Sequence, residues 1–231
     1  MGCLQTTAIT ATAETSKTVV MKHLHHNAKL LAIKASPGTQ IYVDNYSVVW
    51  KLSTVSSAAI LTVMHTNNQT IIMLPKCPYI LSPDSCTKLS KTVLCTRMPL
   101  AKTDLFELIQ FKFSWELAST YLSEVAKGIQ WLHQHGIGHG DIKPENIVVG
   151  NKNAMLIDFD FSTPLEQWHY SGTHQYMVPL DIVREWKASN SVISRRMDIY
   201  AFGKTILTVL FFHTIHSSAV SSVKDWFRKP Y

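Results

Sequence analysis

Glycine is scarce in the first half of this 231-residue chain: between Gly2 and Gly128 there is only Gly38. Acidic side chains are also thin there, with none between Lys51 and Asp84. The four cysteines, Cys3, Cys77, Cys86 and Cys95, form no C-x-x-C pair, so no zinc site is indicated, and a reducing, intracellular, cytoplasmic location follows. No charged segment leading into an apolar signal core opens the sequence. The longest strongly apolar run, Ile206–Phe212, is far too short to span a bilayer and reads as the buried body of a core helix. Nine Gly and nine Pro exclude a low-complexity linker, and there is no internal repeat.

What is present describes a folded globular chain of one or two domains, 46% hydrophobic and 16% charged. The net charge of +6 lies entirely in residues 1–100, which hold nine Lys and Arg against three Asp and Glu. That excess fits a solvated basic face, or attraction to an anionic membrane surface or an acidic partner. No nucleic-acid partner is expected. The opening Met1-Gly2-Cys3-Leu4-Gln5-Thr6 matches the N-myristoylation pattern, with Cys3 placed to take a second acyl chain. Two such signals would hold the chain at a membrane where one binds only marginally. His23, His25 and His26 read as a solvated polar turn, with metal binding the alternative.

From Lys29 to about Arg97 the pattern predicts strands at Leu30–Ile33, Gln40–Val43, Tyr46–Leu52, Thr70–Leu74 and Lys91–Thr96. The turn signals between them are Pro37-Gly38, Asp44-Asn45, Asn67-Asn68 and Pro83-Asp84-Ser85. A short helix over Ser53–Met64 interrupts them. After Thr103 helices dominate. Asp104 caps one through Leu108, and Ser114 caps a longer one with a stripe at Leu117, Tyr121, Val125, Ile129 and Leu132. A further helix runs from about Met197 to Phe212. Composition thus divides the chain into a segment at 1–28, a β-rich part at 29–100 and a helical part at 101–231.

Four strings carry chemistry. Ile137-Gly138-His139-Gly140-Asp141-Ile142-Lys143-Pro144-Glu145-Asn146 closes the long amphipathic helix and leads into the apolar Ile147-Val148-Val149. Twelve residues beyond comes Leu156-Ile157-Asp158-Phe159-Asp160, then Ser171-Gly172-Thr173-His174-Gln175-Tyr176-Met177-Val178-Pro179-Leu180, then Asp198-Ile199-Tyr200-Ala201-Phe202-Gly203. In this order they resemble the catalytic loop H-R-D-L-K-x-x-N, the D-F-G, the G-T-x-x-Y-M-A-P-E and the D-x-W/Y-S-x-G of the eukaryotic-type protein kinases, of the serine/threonine kind. The resemblance covers roughly residues 38–212. The compact form, with H-G-D for H-R-D, is similar to viral kinases.

The resemblance implies an α+β, bilobal protein-kinase-like fold. A small, antiparallel, β-rich N-lobe would precede a helical C-lobe that is truncated after its central helix, with ATP and Mg²⁺ bound in the cleft. It implies transfer of the ATP γ-phosphate to serine or threonine hydroxyls of a protein substrate. Asp141 would take the hydroxyl proton, Lys143 would offset phosphoryl charge, Asn146 and Asp158 would hold Mg²⁺, and Thr173 would bond toward Asp141 and Lys143. Phe159 would pack toward His139, and Asp198 would accept backbone N–H bonds from the catalytic loop. Upstream, Lys34 (in Leu31-Ala32-Ile33-Lys34) and Lys51 (in Val48-Val49-Trp50-Lys51) compete as the phosphate-gripping lysine. Lys51 is preferred for its distance to Asp141 and for Gly38 upstream of it. Val49, Met98, Leu100 and Val148 would surround the nucleotide.

The departures are the thin phosphate loop, Ser57 about where the lysine's Glu partner belongs, Asp160 in place of the D-F-G glycine, and Leu180 in place of the A-P-E glutamate. They leave a second reading open: a pseudokinase that binds another kinase or its substrates.

Overall fold

The computed structural model describes residues 31–36, 38–111, 113–151, 153–167, 169–188 and 193–217. The acylation signal at Gly2 and Cys3 and the cluster His23, His25 and His26 lie outside them. The described residues form two compact units, one comprising those up to Pro75 together with Leu81–Leu100, the other Lys76–Ile80 together with those from Ala101 onward.

The first unit is an antiparallel five-stranded sheet in the order β1-β2-β3-β5-β4, carrying one helix. Its strands are β1 (Leu31–Ser36), β2 (Thr39–Val43), β3 (Val48–Thr54), β4 (Ser85–Lys88) and β5 (Val93–Pro99), with α1 (Ala58–Met73) between β3 and β4. Strand side chains alternate between faces. Leu94 therefore packs with Leu61 of α1 and Cys86, while its neighbour Cys95 packs on the opposite face with Tyr42 and Leu52. Burial there pushes the Cys95 thiol up to about 12.

Three expectations fail in this unit. Thr70–Leu74 is the last turn of α1 and its C-cap instead of a strand, and Asn67-Asn68 lies inside the helix instead of a turn. Leu61, Asn68 and Ile71 recur at helical spacing and are buried together, and that packing overrides the β preference of the Thr-Ile-Ile run. The helix also starts later than Ser53, because Ser53 and Thr54 complete β3 opposite Leu94 and Val93. Ser57 is its N-cap, accepting from the Ile60 amide at 3.3 Å. Strand β4 is an unpredicted edge.

The second unit contains β6 (Thr103–Asp104), α2 (Leu105–Ile109), α3 (Trp115–Gln134), β7 (Ile137–Gly138), β8 (Ile147–Val149), β9 (Ala154–Leu156), β10 (Thr163–Pro164), α4 (Leu180–Ala188) and α5 (Ile193–Ser217). Asp104 and Ser114 cap α2 and α3 as their sequence predicts. The buried face of α3 is rotated from the predicted stripe. Ala118, Leu122, Val125, Ile129 and Leu132 are inside, while Leu117 is exposed and Tyr121 half-buried. Tyr79 binds Lys76–Ile80 to this unit, its carbonyl accepting from the Leu156 amide at 2.9 Å. Around the start of α5, Val178, Val183, Ile193 and Met197 form one apolar cluster.

Ile206–Phe212 is not the wholly buried helix body its composition suggests. Val209 is fully buried, but Leu207 and Leu210 face outward. Among the described residues no helix is long and apolar enough to cross a membrane.

Candidate active site

Strand β7 pairs with β10, and β8 pairs with both β6 and β9. These short ladders fix both ends of the loop at 139–146 and bring Asp158 up from the end of β9. The backbone of the loop is held from α5. Asp198, almost wholly buried, accepts the His139 amide at 2.8 Å and the Gly140 amide at 2.9 Å. His133 of α3 meets the same carboxylate at 2.8 Å. Sequence reasoning missed His133. Its signal was a histidine four residues after Ile129, on the buried face of an amphipathic helix, where a polar ring needs a partner.

On this frame Asp141 is gripped by three donors. Lys143 Nζ lies 2.7 Å and Asn146 Nδ2 3.0 Å from Oδ2, and the Thr173 amide 2.7 Å from Oδ1. Lys143 also donates to Thr173 Oγ1 at 2.6 Å. Two opposed charges and three hydrogen bonds thus fix the orientation of one buried carboxylate. Asn146 spends its NH₂ on Asp141 Oδ2 and on the Asp141 carbonyl at 2.8 Å, which leaves its amide oxygen for a cation.

Asp158 sits at φ 68°, a left-handed conformation that a non-glycine residue seldom adopts without a reason. One carboxylate and one amide oxygen are the hard donors Mg²⁺ accepts, with water and phosphate oxygens completing its shell. The residues present fit that ion. Among the described residues no three His, Cys, Asp or Glu side chains gather around a common point for another metal.

Phe159 is fully buried against the His139 ring, 5.2 Å between centroids, and His139 Nε2 lies 3.0 Å from the Ile157 carbonyl. Asp160 is buried in the turn that follows, closed by the Ser162 amide on the Phe159 carbonyl at 3.1 Å. Gly140 explains how that turn fits. At φ 84° it occupies a glycine-favouring conformation, and an added Cβ would overlap the Phe161 carbonyl oxygen and lie 3.1 Å from the carbonyl carbon. The catalytic loop and the chain after Asp158 are in backbone contact where the resembled family carries an arginine side chain.

In the first unit, Lys51 lies in β3, paired with Thr96, and is 9% exposed. The backbone of Lys34 lies in the outer strand β1. Gly38, at φ 79°, turns β1 into β2, its carbonyl accepting the Thr54 amide at 2.6 Å. Val49 is paired with Met98, and the Leu100 amide donates to the Ser47 carbonyl at 3.0 Å. Val148 is buried in β8 of the second unit.

The model of the protein kinase domain matches residues 12–228 of the chain. A protein of Acanthamoeba polyphaga mimivirus that carries a serine/threonine-protein kinase name is 30% identical over 128 residues, 53% of this chain and 43% of its own length. Serine/threonine-protein kinase PSK1 of Saccharomyces cerevisiae is 34% identical over 114 residues, 47% of this chain and 8% of that protein. Mitogen-activated protein kinase 13 of Bos taurus is 29% identical over 110 residues, 46% and 28% respectively. The matched stretches span less than half the length of these relatives.

Proposed function

The chain belongs to the protein kinase domain family, and from that premise we propose that it is a serine/threonine protein kinase that transfers the γ-phosphoryl group of ATP to protein hydroxyls. The observation that supports activity most is the clamp on Asp141 by Lys143, Asn146 and the Thr173 amide. Asp141 orients the incoming hydroxyl and accepts its proton as the hydroxyl oxygen bonds to the γ-phosphorus. The bond from that phosphorus to the β,γ-bridging oxygen breaks, and ADP leaves. Lys143 offsets charge on the phosphoryl oxygens from its position between Asp141 and Thr173. Lys51 grips the α- and β-phosphates, and Gly38 lets the β1–β2 turn approach them. Val49, Met98, Leu100 and Val148 contact the nucleotide. Asp158 and Asn146 are the residues that would hold Mg²⁺, which neutralises phosphate charge when bound.

We assign residues 29–100 and 101–231 to the two lobes of the domain, and 1–28 to a leading segment that anchors the chain to intracellular membranes when Gly2 and Cys3 are acylated. The expected result for Gly2→Ala is a shift from the membrane to the soluble fraction on cell fractionation; equal partitioning of the two forms would remove the anchor.

The purified chain with labelled ATP, Mg²⁺ and a generic protein substrate should incorporate phosphate. Asp141→Asn should lower the rate on the order of 10²-fold or more with nucleotide binding retained. Wild-type turnover in that variant would dismiss Asp141 as the base. The second reading, a kinase-like binding module, is favoured by an α1 with no acidic residue to pair with a lysine and by the single glycine of the β1–β2 turn. It predicts no incorporation from either form.

A further inference from the structure

Helix α1 holds no Asp, Glu, Lys or Arg in its sixteen residues, although one side of it faces water, where charged and polar residues are the rule. Leu61, Asn68 and Ile71 are buried. Ala59, Thr62, Val63, Thr66, Thr70 and Met73 lie on the other side and are exposed, Val63 at 51% and Met73 at 82%. The hydroxyls of Thr62 and Thr70 donate to the Ala58 and Thr66 carbonyls at 2.9 Å, which turns their methyl groups outward. The outer face is therefore uncharged and partly apolar.

Positive charge borders it. Strand β4 runs alongside α1, with the Gln69 side-chain amide donating to the Cys86 carbonyl at 2.9 Å and Lys88 Nζ to Thr62 Oγ1 at 3.1 Å. The hairpin that joins β4 to β5 carries Lys91 and meets the chain entering α1, where the Val55 amide donates to the Thr92 carbonyl at 2.9 Å. Lys88 and Lys91 are exposed, and neither has a carboxylate partner among the described residues. The two described carboxylates of this unit are both engaged, Asp44 inside its own hairpin and Asp84 with Arg97. No acidic residue in the first turn of α1 offsets the positive end of its dipole.

We propose that this side of the first unit, the outer face of α1 with the β4–β5 hairpin, docks on an anionic lipid bilayer. An uncharged helix face beside lysines that lack carboxylates supplies both halves of such a contact. The methyl and thioether groups enter the headgroup layer, and Lys88 and Lys91 meet the lipid phosphates and carboxylates. An acidic protein would also satisfy the lysines. Protein contacts, however, are anchored by side chains in pockets, and a helix face is convex, whereas a fluid headgroup layer takes the shape of what presses into it. The contact is separate from acylation at Gly2, which would bring the chain to a membrane without setting the side that meets it. It is also independent of whether the chain phosphorylates anything.

The test uses the full chain carrying Gly2→Ala, so that no acyl group contributes, sedimented with vesicles of equimolar phosphatidylserine and phosphatidylcholine or of phosphatidylcholine alone. The chain should bind the mixed vesicles and not the neutral ones. Lys88→Ala with Lys91→Ala should lower the partition coefficient about tenfold or more, each lysine near an anionic surface contributing about fivefold. Lys102→Ala with Lys187→Ala removes the same charge from the second unit and should leave it within about twofold. Val63→Ser with Met73→Ser changes no charge and should lower it about fourfold or more, the worth of one buried methylene. Equal losses from the two lysine pairs would reduce the effect to net charge. Unchanged binding in the serine pair would show that nothing apolar enters the lipid, and no binding to mixed vesicles would leave the face to a soluble partner. Each of these results overturns the proposal.

Discussion

Lys51 and Lys34 look alike as letters, each ending an apolar tripeptide, but they occupy different strands. Lys51 is buried in β3 at the middle of the sheet, flanked by β2 and β5, whereas Lys34 belongs to the outermost strand. A lysine taken from water retains its place only where a negative group balances it. On the proposed function the nucleotide phosphates add to whatever balances it in the fold. Lys51→Met should therefore reduce phosphoryl transfer by an order of magnitude or more, while Lys34→Met leaves it within about twofold. Measured kcat/KM values in the reverse order would move the phosphate-binding role to β1. Ser57, read from spacing as the stand-in for a carboxylate partner, caps α1 with its hydroxyl. Its role is to start the helix, and no lysine contact is needed to explain it.

The β2–β3 hairpin shows how a single side chain organises an element. Asp44, 7% exposed at the turn, accepts the Tyr46 and Val48 amides at 2.9 and 3.0 Å and the Trp50 indole N–H at 2.9 Å. Burial pushes the carboxyl up, but those three hydrogen bonds, with the Arg97 charge, outweigh it and leave it below the ordinary aspartate value. A lowered folded-state value means a stabilising contribution that is complete above the unfolded value of about 3.9 and is lost as pH falls through the folded one. Asp44→Asn, which cannot accept all three bonds, should cost about 1–3 kcal/mol at pH 7. The gap from wild type should narrow as pH falls below the unfolded aspartate value of about 3.9 and through the lower folded one in urea melts; a gap independent of pH would show that the carboxylate charge is not what holds the turn.

This hairpin was legible in the sequence because its turn signal and its flanking strands are local. The catalytic loop was legible for a like reason, since Asp141, Lys143 and Asn146 lie two to five residues apart. The last turn of α1 was not legible: Thr70–Leu74 has a strand's composition, and only burial beside Leu61 and Asn68 makes it helical. Strand β4 was hidden by its polar Ser-Cys-Thr-Lys sequence, which suits an edge and gives no apolar alternation. The partnership of His133 with Asp198 joins residues 65 apart in sequence, and neither shows its need until the chain is folded.

At the scale of the whole molecule, the chain after Asp158 is fastened by backbone and side-chain hydrogen bonds to the catalytic loop and to the segments on either side. Ser162 is 3% exposed and donates to the His139 carbonyl at 3.2 Å, and the Leu165 amide donates to the Gly136 carbonyl at 2.8 Å. Tyr170 OH reaches the Val178 carbonyl at 2.9 Å. Arg97 of the first unit is paired with Asp84 at 3.1 Å. Activity is therefore expected to be independent of phosphorylation in the 160–172 loop. Phosphatase-treated protein, and protein with Ser162, Thr163, Tyr170 and Ser171 changed to Ala or Phe, should retain rates within about threefold of untreated protein. Loss of most activity on dephosphorylation, with recovery on rephosphorylation, would refute this and direct attention to Arg184.

The contact between Gly140 and Phe161 also bears on the order in which mutations can accumulate. With the Phe161 carbonyl where a Cβ would stand, no side chain enters position 140 until residues 160–162 have taken another path. Such a change of path leaves a void over Gly140 until a side chain arrives. Each single step is unfavourable while the pair together need not be, so the present arrangement resists reversal one substitution at a time and, once adopted, behaves as a ratchet in descent.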